Sequence, residues 1–155
     1  MEYEATVSTR IGKIGLHTSQ DRLTGIDFVS EDYSILKPKT VIAKNAVEQL
    51  LCYFADPAYR FDIPLELKVT EFQLSVLNAL QQIPVGSTRS YKDIAKILNT
   101  SPRPVGAACR DNPIPIIIPC HRVVSEKDLG GYSGKKKGPM LEIKRWLLEH
   151  EMALF

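Results

Sequence analysis

The chain has 155 residues, 44% of them hydrophobic and 25% charged, with a formal net charge of +2. That length makes one compact unit or two small lobes, and that apolar fraction excludes a disordered chain. No stretch approaches the ~20 apolar residues of a membrane span, and Met1-Glu2-Tyr3-Glu4 lacks the basic-then-apolar start of a secretory signal.

An intracellular, cytoplasmic protein without membrane association is therefore expected. Cys52, Cys109 and Cys120 are an odd number at wide spacing, which excludes a disulfide framework and a CxxC metal site. They read as reduced thiols, with a Cys52–Cys109 disulfide as the open alternative. His17, His121 and His150 show no metal-ligand spacing. The charge is uneven: Pro84 to Pro139 holds ten Lys/Arg against four Asp/Glu, which leaves the remainder acidic. A basic second half suits a polyanionic partner, although an ordinary solvated surface accounts for it equally well.

Residues 3–30 alternate apolar and polar. Tyr3 to Thr9 reads as a strand, Gly12 and Gly15 flank a second that ends near Thr18, and Leu23 to Val29 is a third. Pro38 to Asp56 reads as a helix with Val41, Ile42, Ala46, Val47, Leu50, Leu51 and Phe54 on one stripe, stopped by Asp56-Pro57. Asp62 to Leu67 is an extended connector. Glu71 to Ile83 is a helix with Phe72, Val76, Leu77 and Leu80 inward. Ser90 caps a short helix whose buried face is Ile94, Ala95, Ile97 and Leu98. Asn99-Thr100-Ser101 is a turn, and Pro102 or Pro104 opens a second short helix with Val105, Ala108 and Cys109 inward. The pair has the outline of a helix-turn-helix, an outline many helical folds share. Met140 to Glu151 is the closing helix.

Between these helices lies the stretch from Asn112 to Val124. Ile116, Ile117 and Ile118 read as a buried extended segment, and Pro113, Pro115 and Pro119 exclude a helix interior. Cys120 then stands at the rim of a core beside a potential base, His121. A reactive thiol needs such burial and such a partner. A structural cysteine beside a chance histidine satisfies the same residues. The expected fold class is α+β. Residues 1–62 form a small N-terminal antiparallel sheet with a helix. Residues 63–155 form a mainly helical C-terminal domain containing the helix-turn-helix.

Several short motifs stand in one order across residues 63–151. They are Phe72-Gln73, Ile83-Pro84-x-Gly86, Ser90-Tyr91, Arg103-x-Val105-Gly106, Asn112-Pro113, Pro119-Cys120-His121-Arg122-Val123, Gly131-Tyr132-Ser133-Gly134 and Lys144-x-Trp146-Leu147-Leu148-x-x-Glu151. Together they resemble the O6-alkylguanine-DNA alkyltransferases. The resemblance implies single-turnover transfer of an alkyl group from guanine O6 in double-stranded DNA to Cys120, by a monomer without cofactor or metal. It also implies that Glu151 holds His121, that His121 deprotonates Cys120 through a water, and that Asn112 bridges this network to the turn presenting Cys120. Tyr91 would donate to guanine N3 and Ser133 to O6. Tyr132 would wall the pocket, and carbonyls around Cys120 and Val123 would read the guanine edge. Arg103 would fill the gap left by a flipped base. Gly106 and Ala107, with Ala108, would let the second helix approach the minor groove. Arg110 and Lys92 are candidate phosphate contacts, and Lys144 joins the DNA-binding set. A relative that binds alkylated DNA without reacting, signalling damage instead, is the alternative.

The chain also departs from that family. Pro104 follows Arg103 and disfavours the α region there, so Arg103 is expected to be extended with the helix starting after it. Cys109 sits on the DNA-facing helix and is expected to pack inward. Lys135-Lys136-Lys137 lengthens the loop after Ser133, and Leu77 stands where relatives often carry tryptophan.

Overall fold

The structure, a computed structural model, describes residues 2–133 and 138–153. The chain divides into two compact units, Met1–Lys68 and Val69–Phe155. No helix among the described residues is long and apolar enough to cross a membrane.

In the first unit, β1 (Ala5–Thr9), β2 (Gly12–Ser19) and β3 (Arg22–Val29) form an antiparallel meander in the order β1-β2-β3. Alternation puts Ala5, Ile14, Leu16, Leu23 and Ile26 in the core. α1 (Val41–Ala55) packs on this sheet through Ile42, Ala43, Ala46, Leu50 and Tyr53. Thr40 Oγ1 accepts from the Ala43 N–H, so the helix starts at Val41 and not at Pro38 as expected. Val41 and Leu51, expected on the buried stripe, are exposed. Val41 is the first helical residue and points away from the face that Ile42, Ala43 and Ala46 bury.

The second unit carries α2 (Glu71–Gln81), β4 (Arg89–Ser90), α3 (Tyr91–Leu98), α4 (Pro102–Arg110), a 3-10 turn (Cys120–Arg122), β5 (Val123–Val124) and α5 (Pro139–His150). Reciprocal capping boxes, Thr70 with Gln73 and Ser90 with Asp93, start α2 and α3. Asn99 ends α3 in the left-handed region, which turns the chain into α4. Val76, Leu77, Leu80, Ile94, Val105, Ile114, Ile118 and Leu147 fill the core.

Three expectations need correction here. Phe72 and Ile97 are exposed, not inward. At 100° per residue, Ile97 lies roughly 100° from the centre of the Ile94, Ala95 and Leu98 stripe, and Phe72 is nearly as far from the stripe of α2. Arg103 is helical, because α4 begins at Pro102. The first turn of a helix has no acceptors for its N–H groups, so Pro102 and Pro104 there forfeit no hydrogen bond. Ile116 to Ile118 is not extended. The chain from 114 to 118 coils into turns, with the Ile118 N–H donating to the Ile114 carbonyl and Ile116 at φ 77°. A β-branched residue there is strained; burial of Ile114, Ile116 and Ile118 holds it. Lys135-Lys136-Lys137 lies outside the described residues.

Candidate active site

The Cys120 thiol is set by its flanks. Asn112 Oδ1 accepts from the Ile114 N–H at 3.0 Å, and its Nδ2 donates to the Ile118 carbonyl at 2.8 Å. One side chain thereby holds both ends of the coiled Ile114–Ile118 segment. The same amide hydrogen-bonds the Cys120 thiol. After the 3-10 turn, β5 pairs in parallel with β4, Arg89 opposite Val123 and Ser90 opposite Val124. Tyr91 follows β4 directly and Cys120 precedes β5 closely, so this short ladder brings the phenol and the thiol to one place.

His121 is fully buried, and its Nε2 lies 2.8 Å from Glu151 Oε2. Glu151 is also gripped by Arg122, whose Nε reaches Oε1 at 2.8 Å and whose NH2 reaches Oε2 at 3.0 Å. The remaining Arg122 nitrogen donates to the Ile83 carbonyl at 2.7 Å, beyond the end of α2. Burial pushes the Glu151 carboxyl up, but the hydrogen bonds from His121 and Arg122 and the guanidinium charge together hold it well below the usual range. For His121 burial wins and pushes the imidazole down, against the pull of Glu151. The pair is then carboxylate and neutral imidazole, with Nε2–H donating. His121 Nδ1 is left buried without a hydrogen-bond partner among the described residues. A bare imidazole nitrogen beside the residue that carries the thiol is an available base.

Burial pushes the Cys120 thiol up, while the Asn112 amide and the charge of Lys144 act the other way. The resting group is a thiol, and the thiolate must be made on demand. Tyr91 is also raised, mainly by burial, although a hydrogen bond from the Gly131 backbone opposes this. It stays a phenol and a donor. Gly130, at φ +72°, sits so close that a Cβ would fall 2.9 Å from the Tyr91 ring. Only glycine allows that approach.

Lys144, expected on the DNA, is a correction. It is wholly buried, and its Nζ donates to the Val123 carbonyl at 2.7 Å and the Gly131 carbonyl at 2.9 Å. It shares the inward face of α5 with Leu147 and Leu148, three and four residues on. Burial pushes its ammonium down to about 8. It pins β5 to the loop at Gly131 and cannot reach a phosphate.

A cavity of about 690 Å³ opens beside the thiol. Cys120, Tyr91, Tyr132 and Ser133 line it, and α4 presents Pro102, Arg103, Gly106, Cys109 and Arg110 to it. Those five positions fall on one face of a helix. Tyr132 is buried, whereas Ser133 is exposed in the left-handed region. Val123 is buried, and Ala107, half-buried, is outside the lining. Lys92 extends along the surface 4.0 Å from Glu126. Among the described residues no group of three or more His, Cys, Asp or Glu side chains is gathered to hold a metal ion. The residue that sequence reasoning passed over is Arg122, although it stands inside the Pro-Cys-His-Arg motif. Its signal was adjacency to His121; its partner lies 29 residues away.

The family model for the 6-O-methylguanine DNA methyltransferase DNA-binding domain matches residues 71–153. The chain is 37% identical to the constitutive methylated-DNA–protein-cysteine methyltransferase of Bacillus subtilis, over 97% of this chain and 96% of that one. It is 52% identical to the Archaeoglobus fulgidus protein of the same name, over 55% of this chain and 58% of that one. Mycobacterium tuberculosis OGT, solved in complex with DNA, superimposes with a TM-score of 0.81 at 38% identity, over 95% of this chain and 91% of that one.

Proposed function

The chain belongs to the methylated-DNA–protein-cysteine methyltransferases, the O6-alkylguanine-DNA alkyltransferase family, and from that premise we propose that it repairs O6-alkylguanine in duplex DNA by moving the alkyl group onto Cys120, once per molecule. The enzyme class, a DNA alkyl-repair methyltransferase, follows from membership.

The observation that carries the finer reading is the buried His121–Glu151 contact, which leaves Nδ1 bare. His121 Nδ1 takes the Cys120 proton through a water, and Glu151, locked by Arg122, stabilises the imidazolium that forms. The thiolate attacks the sp3 carbon in line, the carbon–oxygen bond breaks, and guanine leaves with the electron pair. Tyr91 O–H offsets the charge at guanine N3 and Ser133 that at O6. The Gly131 N–H at the Tyr91 oxygen and the charge of Lys144 nearby both favour that donation. The product is a thioether, which water does not hydrolyse, so each molecule is consumed.

A stacked guanine cannot reach a buried thiol, so the nucleotide leaves the duplex for the cavity at a cost of a few kcal/mol. Arg103 fills the vacancy, a reading supported by its exposure near the start of α4 at the cavity. Gly106 and Ala107 keep α4 slender against the minor groove, Arg110 meets phosphate, Tyr132 walls the pocket, and Asn112 bridges the His121–Glu151 network to the turn that presents Cys120. Incubation with O6-methylguanine duplex followed by intact mass should show one methylene unit added, on Cys120 alone, and none in Cys120→Ser. Binding of the lesion with no mass gain would mean a non-reacting damage binder.

A further inference from the structure

The transfer reaction leaves one nucleophile of the cavity without a task. Cys109 lies on the α4 face that lines it, three residues on from Gly106, and Cys120 lines it from the 3-10 turn. Both are free, buried thiols. Cys109 is close enough to Cys120 to feel its charge, and Tyr91 and Lys144 each sense both. Cys52 belongs to the other unit.

We propose that Cys109 and Cys120 are a resolving pair, in which a hydroperoxide oxidises Cys120 and Cys109 closes it into a reversible disulfide. The roles are unequal for a physical reason. Cys120 has a hydrogen-bonding amide from Asn112 and the bare nitrogen of His121 nearby to make thiolate. Cys109 has no such amide and remains a thiol. Oxidation follows thiolate character, so Cys120 is attacked first. Its thiolate displaces hydroxide from the peroxide to give a sulfenic acid. The Cys109 sulfur then attacks the sulfenic sulfur, its proton goes to the departing hydroxide, and water leaves. One peroxide is reduced and two thiols are oxidised. Without a neighbouring thiol a second peroxide oxidises the sulfenic acid to sulfinic acid, which is irreversible here. This inference rests on the transfer reading only for its consequence: an acceptor usable once is preserved rather than lost.

Treatment with an excess of hydrogen peroxide over protein, then non-reducing peptide mapping, needs no DNA and tests the pair directly. A Cys109–Cys120 cross-link within one molecule is expected, alkyl uptake falls in step with it, and dithiothreitol restores both. Cys52→Ser should behave as the parent. Cys109→Ala and Cys109→Ser, each compared with its own untreated activity, should lose most of the recovery, with Cys120 found as sulfinic acid. A parent protein that yields sulfinic Cys120 without the cross-link, a bond to Cys52 or between molecules, or equal recovery in Cys109→Ala overturns the proposal. A cross-link that forms in a protein whose reduced form takes no methyl group from DNA leaves the pair standing and removes the transfer reading.

Discussion

His121 Nε2 lies 2.8 Å from Glu151 Oε2 across 30 residues of sequence, and both side chains are closed off from solvent. The contact decides which imidazole nitrogen is available to the thiol. It also predicts the effect of removing the charge. Glu151→Gln should slow alkyl transfer on the order of 10²-fold, the range of a mispositioned general base. Duplex affinity should change little. Stability should drop by about 3 kcal/mol, because Arg122 loses its buried partner. Single-turnover rates, a binding titration and thermal melting separate the three effects. Equal loss of rate and affinity would make Glu151 structural only.

The same pair governs acid stability. An unfolded glutamate titrates near ~4.3 and an unfolded histidine near ~6.5. The folded Glu151 carboxyl is held lower, so its contribution is complete above the unfolded value and is lost as the pH falls toward the folded one. The folded His121 is also lowered, so acid charges the unfolded chain first and again favours unfolding. Melting temperature should begin to fall below about pH 6.5 and fall further below about pH 4.3. Glu151→Gln should lack the second decline, so that the two curves converge in acid. A constant gap between them would contradict the assignment.

Asn112 offers a test of thiolate formation. Its amide holds both ends of the Ile114–Ile118 turn and hydrogen-bonds the Cys120 thiol. Asn112→Asp keeps the acceptor that Ile114 needs, removes both donors and adds a negative charge beside the sulfur. A like charge disfavours thiolate. The pH at which transfer reaches half its maximum should rise by about one unit, equivalent to roughly tenfold slower reaction below it. An unmoved profile with a lower plateau would assign Asn112 to the turn alone.

Arg103 should matter to the duplex and not to the chemistry. Its side chain is exposed near the start of α4, away from the hydrogen bonds around the thiol. Arg103→Ala should slow repair of duplex by on the order of 10²-fold, the worth of a few kcal/mol of base extrusion. Reaction with free O6-benzylguanine should be almost unchanged. Parallel losses on both substrates would end the flipping role.

What was legible in the chain was whatever a few neighbouring residues decide. Ser90 announces the start of α3, because a cap acts within one turn; the Thr70–Gln73 box at the start of α2 emerged only in the structure. The three strands follow from alternation, and the motifs around Cys120 point to the chemistry by resemblance. Edges of helical faces were misjudged at Phe72 and Ile97, since the sequence shows a stripe and not what covers its margin. Arg103 was misplaced because a local preference before proline was outweighed by a first turn that needs no donors.

The sequence by itself determined, among the described residues, the three strands of the first unit and the five α-helices, together with which thiol stands beside an imidazole, and the family. The tertiary structure alone decided that Lys144 points inward to two carbonyls, that Arg122 and His121 share one carboxylate, and that Cys109 and Cys120 line one cavity. Local preferences act over a turn or a strand, whereas these contacts join α5 to the 3-10 turn or α4 to the same cavity. They exist only once burial has made an unpaired charge costly and close packing has chosen its partner.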